Sequence, residues 1–332
     1  DRSKYLRLDK NERVIEFEKE FINYIKKNLK SHLFSSYPYI DEVYNLISKK
    51  LKISKNMICI TAGSDLAIKS CFEYFTGNES KIITLSPTFG MVDVYSKIYN
   101  VKNIQIGYDK HLTLNVKKLL SNIKKDVSLI IIANPNSPTG TKIEKKDLIK
   151  ILNKSKKAKI PVVVDEAYYG FHKESCIKLI KNYNNLIITR SFSKVYGLAG
   201  LRAGFLVANQ KITRNLFKLK PMYEINSISC LAIKFILKNL KIIKNHIKNI
   251  EDGKKYLIKE LSLLQKDYIA CETNFFHINL GKKRKVFENI LRKNRILTRK
   301  GPGVKGFENY LRVTLGSKLQ MKKIINLLKK IN

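Results

Sequence analysis

Through about residue 215, short apolar runs alternate with longer stretches of helical spacing. The runs are Met57 to Thr61, Lys81 to Leu85, Leu129 to Ala133, Pro161 to Asp165, Leu186 to Thr189 and Phe205 to Ala208. Several show no apolar–polar alternation, as strands buried on both faces do. Between them, Asp65 to Phe75, Lys145 to Lys154 and Lys173 to Lys181 have the length and pattern of crossover helices. This order predicts an α/β unit with a largely parallel sheet, whose active groups gather at the carboxyl ends of the strands. Beyond residue 215 the texture changes. A long helical region, Asn226 to Gln265, is expected to break near Gly253 and to lead into strands near Asn274 to Leu280 and Leu311 to Leu315. That pattern predicts a smaller α+β unit, with Gly301-Pro302-Gly303 as a loop inside it.

A chain of 332 residues is long enough for one large and one smaller domain. Ser128 to Ala133 has the length of a buried strand, and no apolar run nears the ~18 residues of a membrane span. The chain opens on Asp1, without methionine, and no secretory pattern follows. Cys59, Cys71, Cys176, Cys230 and Cys271 are scattered without short paired spacing, so reduced thiols and a cytoplasmic location are expected.

The 65 Lys and Arg outnumber the 27 Asp and Glu, for a net charge of +38. The excess is spread over nearly every expected helix beside many Ile and Asn. Only Gly281 to Lys285 is a compact basic run, expected in a solvated loop. Non-specific attraction to polyanions follows at low salt, without a dedicated nucleic-acid function.

The chemistry concentrates between Asp165 and Gly204. Asp165 closes an apolar run, and Tyr168 follows three residues later. Lys194 sits among Ser191, Ser193 and Gly197 rather than among other charges, with Arg202 eight residues on. A lysine held against a carbonyl cofactor forms a Schiff base, and a buried acid keeps a pyridine nitrogen protonated. Ser191, Ser193 and Arg202 are the donors a phosphate dianion needs. Gly63-Ser64-Asp65 opens a helix after a strand, an anion-binding arrangement alongside which Ser64 or Asp65 could also serve as a plain N-cap. Phe89 could stack on a flat cofactor, and the turn Asn134 to Gly140 sets polar side chains at its edge. Arg299 and Arg312 flank late strands and, if paired in a cleft, would hold a carboxylate or phosphate. Together these features point to pyridoxal 5'-phosphate (PLP).

The set Tyr37-Pro38, Thr61 to Asp65, Pro87 to Met91, Asn134 to Gly140, Val162 to Tyr168, Arg190 to Gly204, Thr273-Asn274-Phe275 and Leu311 to Gly316 resembles the fold-type-I PLP aminotransferases of class I/II. Within them it is similar to the histidinol-phosphate aminotransferase branch. The resemblance implies a large domain with a mostly parallel sheet between helices and a smaller α+β C-terminal domain. It divides the chain into an N-terminal arm over 1–35, a PLP-binding domain over 36–215 and a small domain over 216–332. Lys194 would be the Schiff-base lysine that shuttles the proton between Cα and C4′. Asp165 would hold the ring nitrogen and Tyr168 the ring hydroxyl. Ser64, Asp65, Ser191, Ser193 and Arg202 would form the phosphate cup, with Phe89 stacked on the ring. Tyr37 would reach the cofactor phosphate of a neighbouring subunit, in a homodimer with shared active sites. Arg312 would take the donor's α-carboxylate, Arg299 would help with the substrate's anionic end, and Asn274 belongs to a substrate-side motif.

Two segments depart from the family pattern. Ser137 stands where the family has an Asn that bonds the ring hydroxyl, so either Ser137 bonds through another geometry or Asn136 substitutes. Leu8 to Arg13 replaces an Asn-Glu-Asn-Pro segment that lines the substrate pocket, and Arg13 adds a candidate anion contact. The expected activity is transfer of an amino group, from a donor such as L-glutamate, to a small phosphorylated keto or aldehyde acceptor. The alternative is decarboxylation of an O-phospho amino acid in the same cage. A third reading, a charged binding module without cofactor, leaves Lys194 and Asp165 without a purpose.

Overall fold

The structure, a computed structural model, describes residues 1–331. The first strand, β1 (Leu6–Arg7), pairs in parallel with a late strand at Ile296–Leu297. Seven strands then build the main sheet: β2 (Ile58–Thr61), β3 (Lys81–Ser86), β4 (Lys102–Gly107), β5 (Val127–Ala133), β6 (Val162–Asp165), β7 (Leu186–Ser191) and β8 (Gly204–Val207). Their spatial order is β2-β8-β7-β6-β5-β3-β4. Only β8 runs antiparallel to its neighbours. The central strands are apolar and buried on both faces, because helices cover both sides and water reaches neither. Two apolar layers lie on the two faces, one containing Ile130, Ile132 and Val164, the other Leu129, Ile131 and Val163.

Three local expectations are corrected. Lys173 to Lys181 is no crossover helix: only Ile177–Lys181 winds, as a 3-10 turn, because Glu166 takes the backbone N–H of Cys176 at 2.5 Å. The break expected at Gly253 falls at Asn239, between helices Ser227–Lys238 and Leu240–Leu263. Gly253 stays inside the second helix, and close packing rather than a turn requires glycine there, since a Cβ would meet the Gly316 carbonyl oxygen at 2.0 Å. Gly281 to Lys285 is no loop either, but a 3-10 turn that runs into helix Arg284–Lys293, with Arg284 buried against Glu288.

A second, four-stranded antiparallel sheet forms from β9 (Tyr268–Ala270), β10 (Phe275–Asn279), β12 (Arg299–Lys300) and β13 (Tyr310–Thr314), in the order β12-β13-β10-β9; β11 is Ile296–Leu297. Its core takes Leu8 from the start of the chain and Ile250, Leu257 and Leu261 from the long helix. Cys230, Ile233, Ile236 and Ile243 instead pack into the core of the main sheet. The change of core therefore falls between Ile243 and Ile250, later than the boundary expected at 215/216. The arm expected over 1–35 also divides: Leu8 joins the second core, and Phe21, in helix Lys19–Asn28, joins the first. Among the described residues, no helix is long and apolar enough to cross a membrane.

Candidate active site

The carboxyl ends of β2, β6 and β7 open into a cavity of about 890 Å³. Its wall includes Ser64, Asp65, Phe89, Ser137, Asp165, Tyr168, Ser191, Ser193, Lys194 and Arg202, and also Arg13, Arg299 and Arg312. Tyr37, Asn136 and Asn274 are absent from that lining.

Asp165 ends β6 and is 6% exposed. Thr189, its register partner on β7, donates its hydroxyl to Asp165 Oδ1 at 2.6 Å. Burial pushes this carboxyl up to about 6, against the hydrogen bonds from Thr189 and the Ala167 backbone and the charge of Lys194, which favour the ionised form. A buried carboxylate that faces a cavity is set to receive a cationic N–H.

Below it, the neighbouring Glu166 turns away from the cavity. It pairs with Arg190 at 2.8 Å and accepts from Ser175 and from the Cys176 backbone. Arg190 in turn stacks on Tyr169 at 3.7 Å. This buried pair ties β6, β7 and the connection between them together, and keeps the two strand ends side by side.

Lys194 leaves β7 through a turn in which Ser191 Oγ accepts the Ser193 backbone N–H at 3.0 Å. Its Nζ donates to the Lys10 carbonyl at 3.1 Å and lies 5.8 Å from the Tyr168 ring centroid. The Tyr168 hydroxyl accepts from Asn11 Nδ2 at 2.7 Å, and its ring packs edge-on against Phe275. The N-terminal segment thus closes the cavity over the lysine.

Gly63 is the N-cap of helix Ser64–Phe75, so the plain side-chain cap by Ser64 or Asp65 is not made. The hydrogen-bonding capacity of its first turn is left for an anion. Asp65 accepts from the Tyr95 hydroxyl at 2.8 Å. Gly63 has φ +89°, and a Cβ there would lie 3.1 Å from Arg202 Nη2. Only glycine lets that guanidinium lie against the helix start. Ser64, Ser191, Ser193 and Arg202 thereby surround a concave, donor-rich end of the cavity. These observations fit PLP: a donor cradle for its phosphate, a buried carboxylate for its ring nitrogen, and an amine between them.

Asn136 is spent on structural hydrogen bonds. Its side chain donates to the Pro87 carbonyl and the Thr139 hydroxyl and accepts from Thr88, so it cannot stand in for the cavity-lining Ser137. Asn274 donates to the Asn11 carbonyl at 3.1 Å and supports the N-terminal segment rather than the cavity. Arg13 reaches the wall and gives its Nε and Nη2 to the carbonyls of Ile15 and Glu16 and to Glu18, while its Nη1 is buried without a partner. Tyr37 is 80% exposed and stacks on Tyr223 at 4.5 Å.

Arg299 and Arg312 are register partners on β12 and β13 and project from one face of the second sheet. Arg312 is buried, donates to the Asp9 carbonyl at 2.9 Å and lies over the Phe275 ring. Burial and the neighbouring Arg299 push its guanidinium down from its usual range. Arg7, unassigned from sequence, lines the same wall and donates through Nε to Glu12 at 3.2 Å. Thr189 and Asn11 were also missed. Thr189 lies inside an apolar run that reads as core, and the one local sign of Asn11, a positive φ of 57°, is visible only in the backbone.

A profile of the aminotransferase class I and II family matches residues 3–331, and the chain belongs to that family of PLP-dependent enzymes. It is 34% identical to a histidinol-phosphate aminotransferase of Clostridium novyi, over 98% of this chain and 91% of that one. A Pyrococcus furiosus protein of the same name is 31% identical over 97% of this chain and 91% of its own. Among solved structures, the histidinol-phosphate aminotransferase of Clostridium acetobutylicum superposes with a TM-score of 0.86 at 24% identity, covering 98% of each chain.

Proposed function

We propose that this aminotransferase moves an amino group from L-glutamate to a small phosphorylated acceptor of the histidinol-phosphate type. The observation that carries this reading is one cavity with Lys194 and Asp165 on its wall, Arg202 at the helix start and Arg299 with Arg312 on the facing sheet. When bound, PLP supplies an aldehyde for the amine and a ring that accepts electrons from the substrate's Cα. Ser64, Ser191, Ser193, Arg202 and, through its backbone N–H, Asp65 would form the cup for its phosphate, and Phe89 would cover its ring. Asp165 holds the ring N–H as a charged pair, with Thr189 fixing the carboxylate's orientation. Tyr168 and Ser137 face the ring hydroxyl. Lys194 Nζ is the amine that would hold PLP, and it would take and return the proton at the substrate's Cα. Arg312 receives the donor's carboxylate and Arg299 the acceptor's anionic end. Decarboxylation of an O-phospho amino acid is the weaker reading, since the relatives at 34 and 31% identity bear the aminotransferase name.

The enzyme works as a homodimer with the body around the main sheet and the smaller unit as its two domains. Phe34, Tyr37, Tyr39 and Met222 are 68, 80, 75 and 76% exposed, a patch of the kind that marks a protein interface. Tyr37 reaches the second subunit's phosphate cup across it.

The test is product formation. Glutamate-dependent amination of a phosphorylated keto or aldehyde acceptor supports the reading. Carbon dioxide released from O-phosphothreonine without any acceptor replaces it with the lyase.

A further inference from the structure

His277 is fully buried on β10, in the same cross-strand row as Arg312 and Arg299. Residues directly opposite in an antiparallel pair project from the same face, with Cα atoms ~4.5–5.5 Å apart. That face of the second sheet meets the turn 134–140 of the main body, where His277 Nε2 lies 2.9 Å from the Pro138 carbonyl oxygen. A carbonyl only accepts, so Nε2 carries the proton and Nδ1 is left with a lone pair. That Nδ1 is buried without a partner. The Nε–H of Arg312, its register neighbour, is also buried without a partner. One orphan is an acceptor and the other a donor, on residues directly opposite each other on one sheet face. Burial and the charge of Arg312 hold the imidazole down at about 3, so the lone pair persists at working pH.

We propose that His277 is a positioning residue: Nε2–H anchors the Pro138 carbonyl, and Nδ1 takes the Nε–H of Arg312 when a substrate carboxylate engages that guanidinium. The proposal rests on the reading of Arg312 given above. Its consequence is a direct link between the arginine that grips the donor and the turn that carries Ser137 at the cavity wall. With Nε held from behind, Nη1 and the second N–H of Nη2, whose other N–H goes to the Asp9 carbonyl, are left to face a carboxylate bidentately. An apolar side chain at 277 would leave both the Pro138 carbonyl and Arg312 Nε unmet.

The test compares His277→Leu, His277→Gln and Arg312→Gln as holoenzymes. Leu is expected to raise the KM for glutamate roughly tenfold, the size of one hydrogen bond to a charged group. Its kcat should stay within about threefold, the pattern of lost ground-state binding. Gln, which both donates and accepts, should recover most of the loss. A glutamate KM unchanged by Leu but raised by Arg312→Gln overturns the proposal and leaves the reading of Arg312 standing. A KM unchanged by Arg312→Gln overturns both. Equal losses of melting temperature and kcat in Leu and Gln, without a KM effect, reduce His277 to a packing role and also overturn it. If His277→Leu fails to fold, nitrogen NMR of the wild-type imidazole is used instead. Nε2 should be protonated, with the Nδ1 resonance moving when maleate, an unreactive dicarboxylate, is added. An unmoved Nδ1 resonance overturns the proposal.

Discussion

Thr189 donates its hydroxyl to Asp165 across the β6–β7 register at 2.6 Å, from one buried strand to the next. This contact explains how an acid can sit in the core and still face the cavity with its charge intact. The bond favours the carboxylate, whereas burial opposes it, and burial is the larger effect.

The cost of that compromise is measurable in the cofactor-free chain. A carboxyl raised from 3.8 to about 6 binds its proton more tightly when folded than when unfolded. Stability is therefore lost as pH rises from about 4 through about 6, by up to ~3 kcal/mol for one such group. Apo Asp165→Asn should melt above apo wild type at pH 7, and the gap should close towards pH 4. The same variant should lose activity about a hundredfold or more, as expected when a group that supports proton transfer is removed. Thermal unfolding at the two pH values, beside one rate measurement, checks both.

Gly63→Ala probes the phosphate cradle. The added Cβ would sit 3.1 Å from Arg202 Nη2, at a φ of +89° that an L-residue resists. A loss of roughly tenfold in PLP affinity is expected, equivalent to ~1.4 kcal/mol, by equilibrium dialysis. Unchanged affinity would mean that Arg202 and the helix start do not share the phosphate.

Gly253→Ala separates helix propensity from packing. In an open helix the change should stabilise by ~1 kcal/mol. Here the Cβ would lie 2.0 Å from the Gly316 carbonyl oxygen, a backbone atom with little room to retreat. Net destabilisation in chemical denaturation is expected.

The same glycine shows where sequence reading reached its limit. Non-alternating runs such as Leu129 to Ala133 are legible because a strand covered on both faces has no polar side to display. The edge strand Lys102–Gly107 was missed because it is largely exposed or half-buried and lacks such a run. Gly253 reads as a break until Gly316 is seen against it, and that contact spans distant parts of the chain. The residues that line the cavity were legible where local context marks the residue type, as for Lys194 among serines and glycines, Asp165 at the end of an apolar run and Arg202 after them. The site was not legible for Asn136, whose polar side chain is consumed by Thr139 in its own turn and by Pro87 and Thr88 from a distant loop. Nor was it legible for Asn11, whose hydrogen bond to Tyr168 joins residues 157 positions apart.

The most direct measurement is the absorbance spectrum of the purified holoenzyme before and after L-glutamate, with Lys194→Ala alongside. A band near ~420 nm is expected in wild type, from the lysine-bound cofactor, and should be absent in the variant. Glutamate should bleach that band, and a phosphorylated keto acceptor should restore it. A band that persists in Lys194→Ala, or that ignores glutamate while O-phosphothreonine releases carbon dioxide, would contradict the aminotransferase assignment of this site.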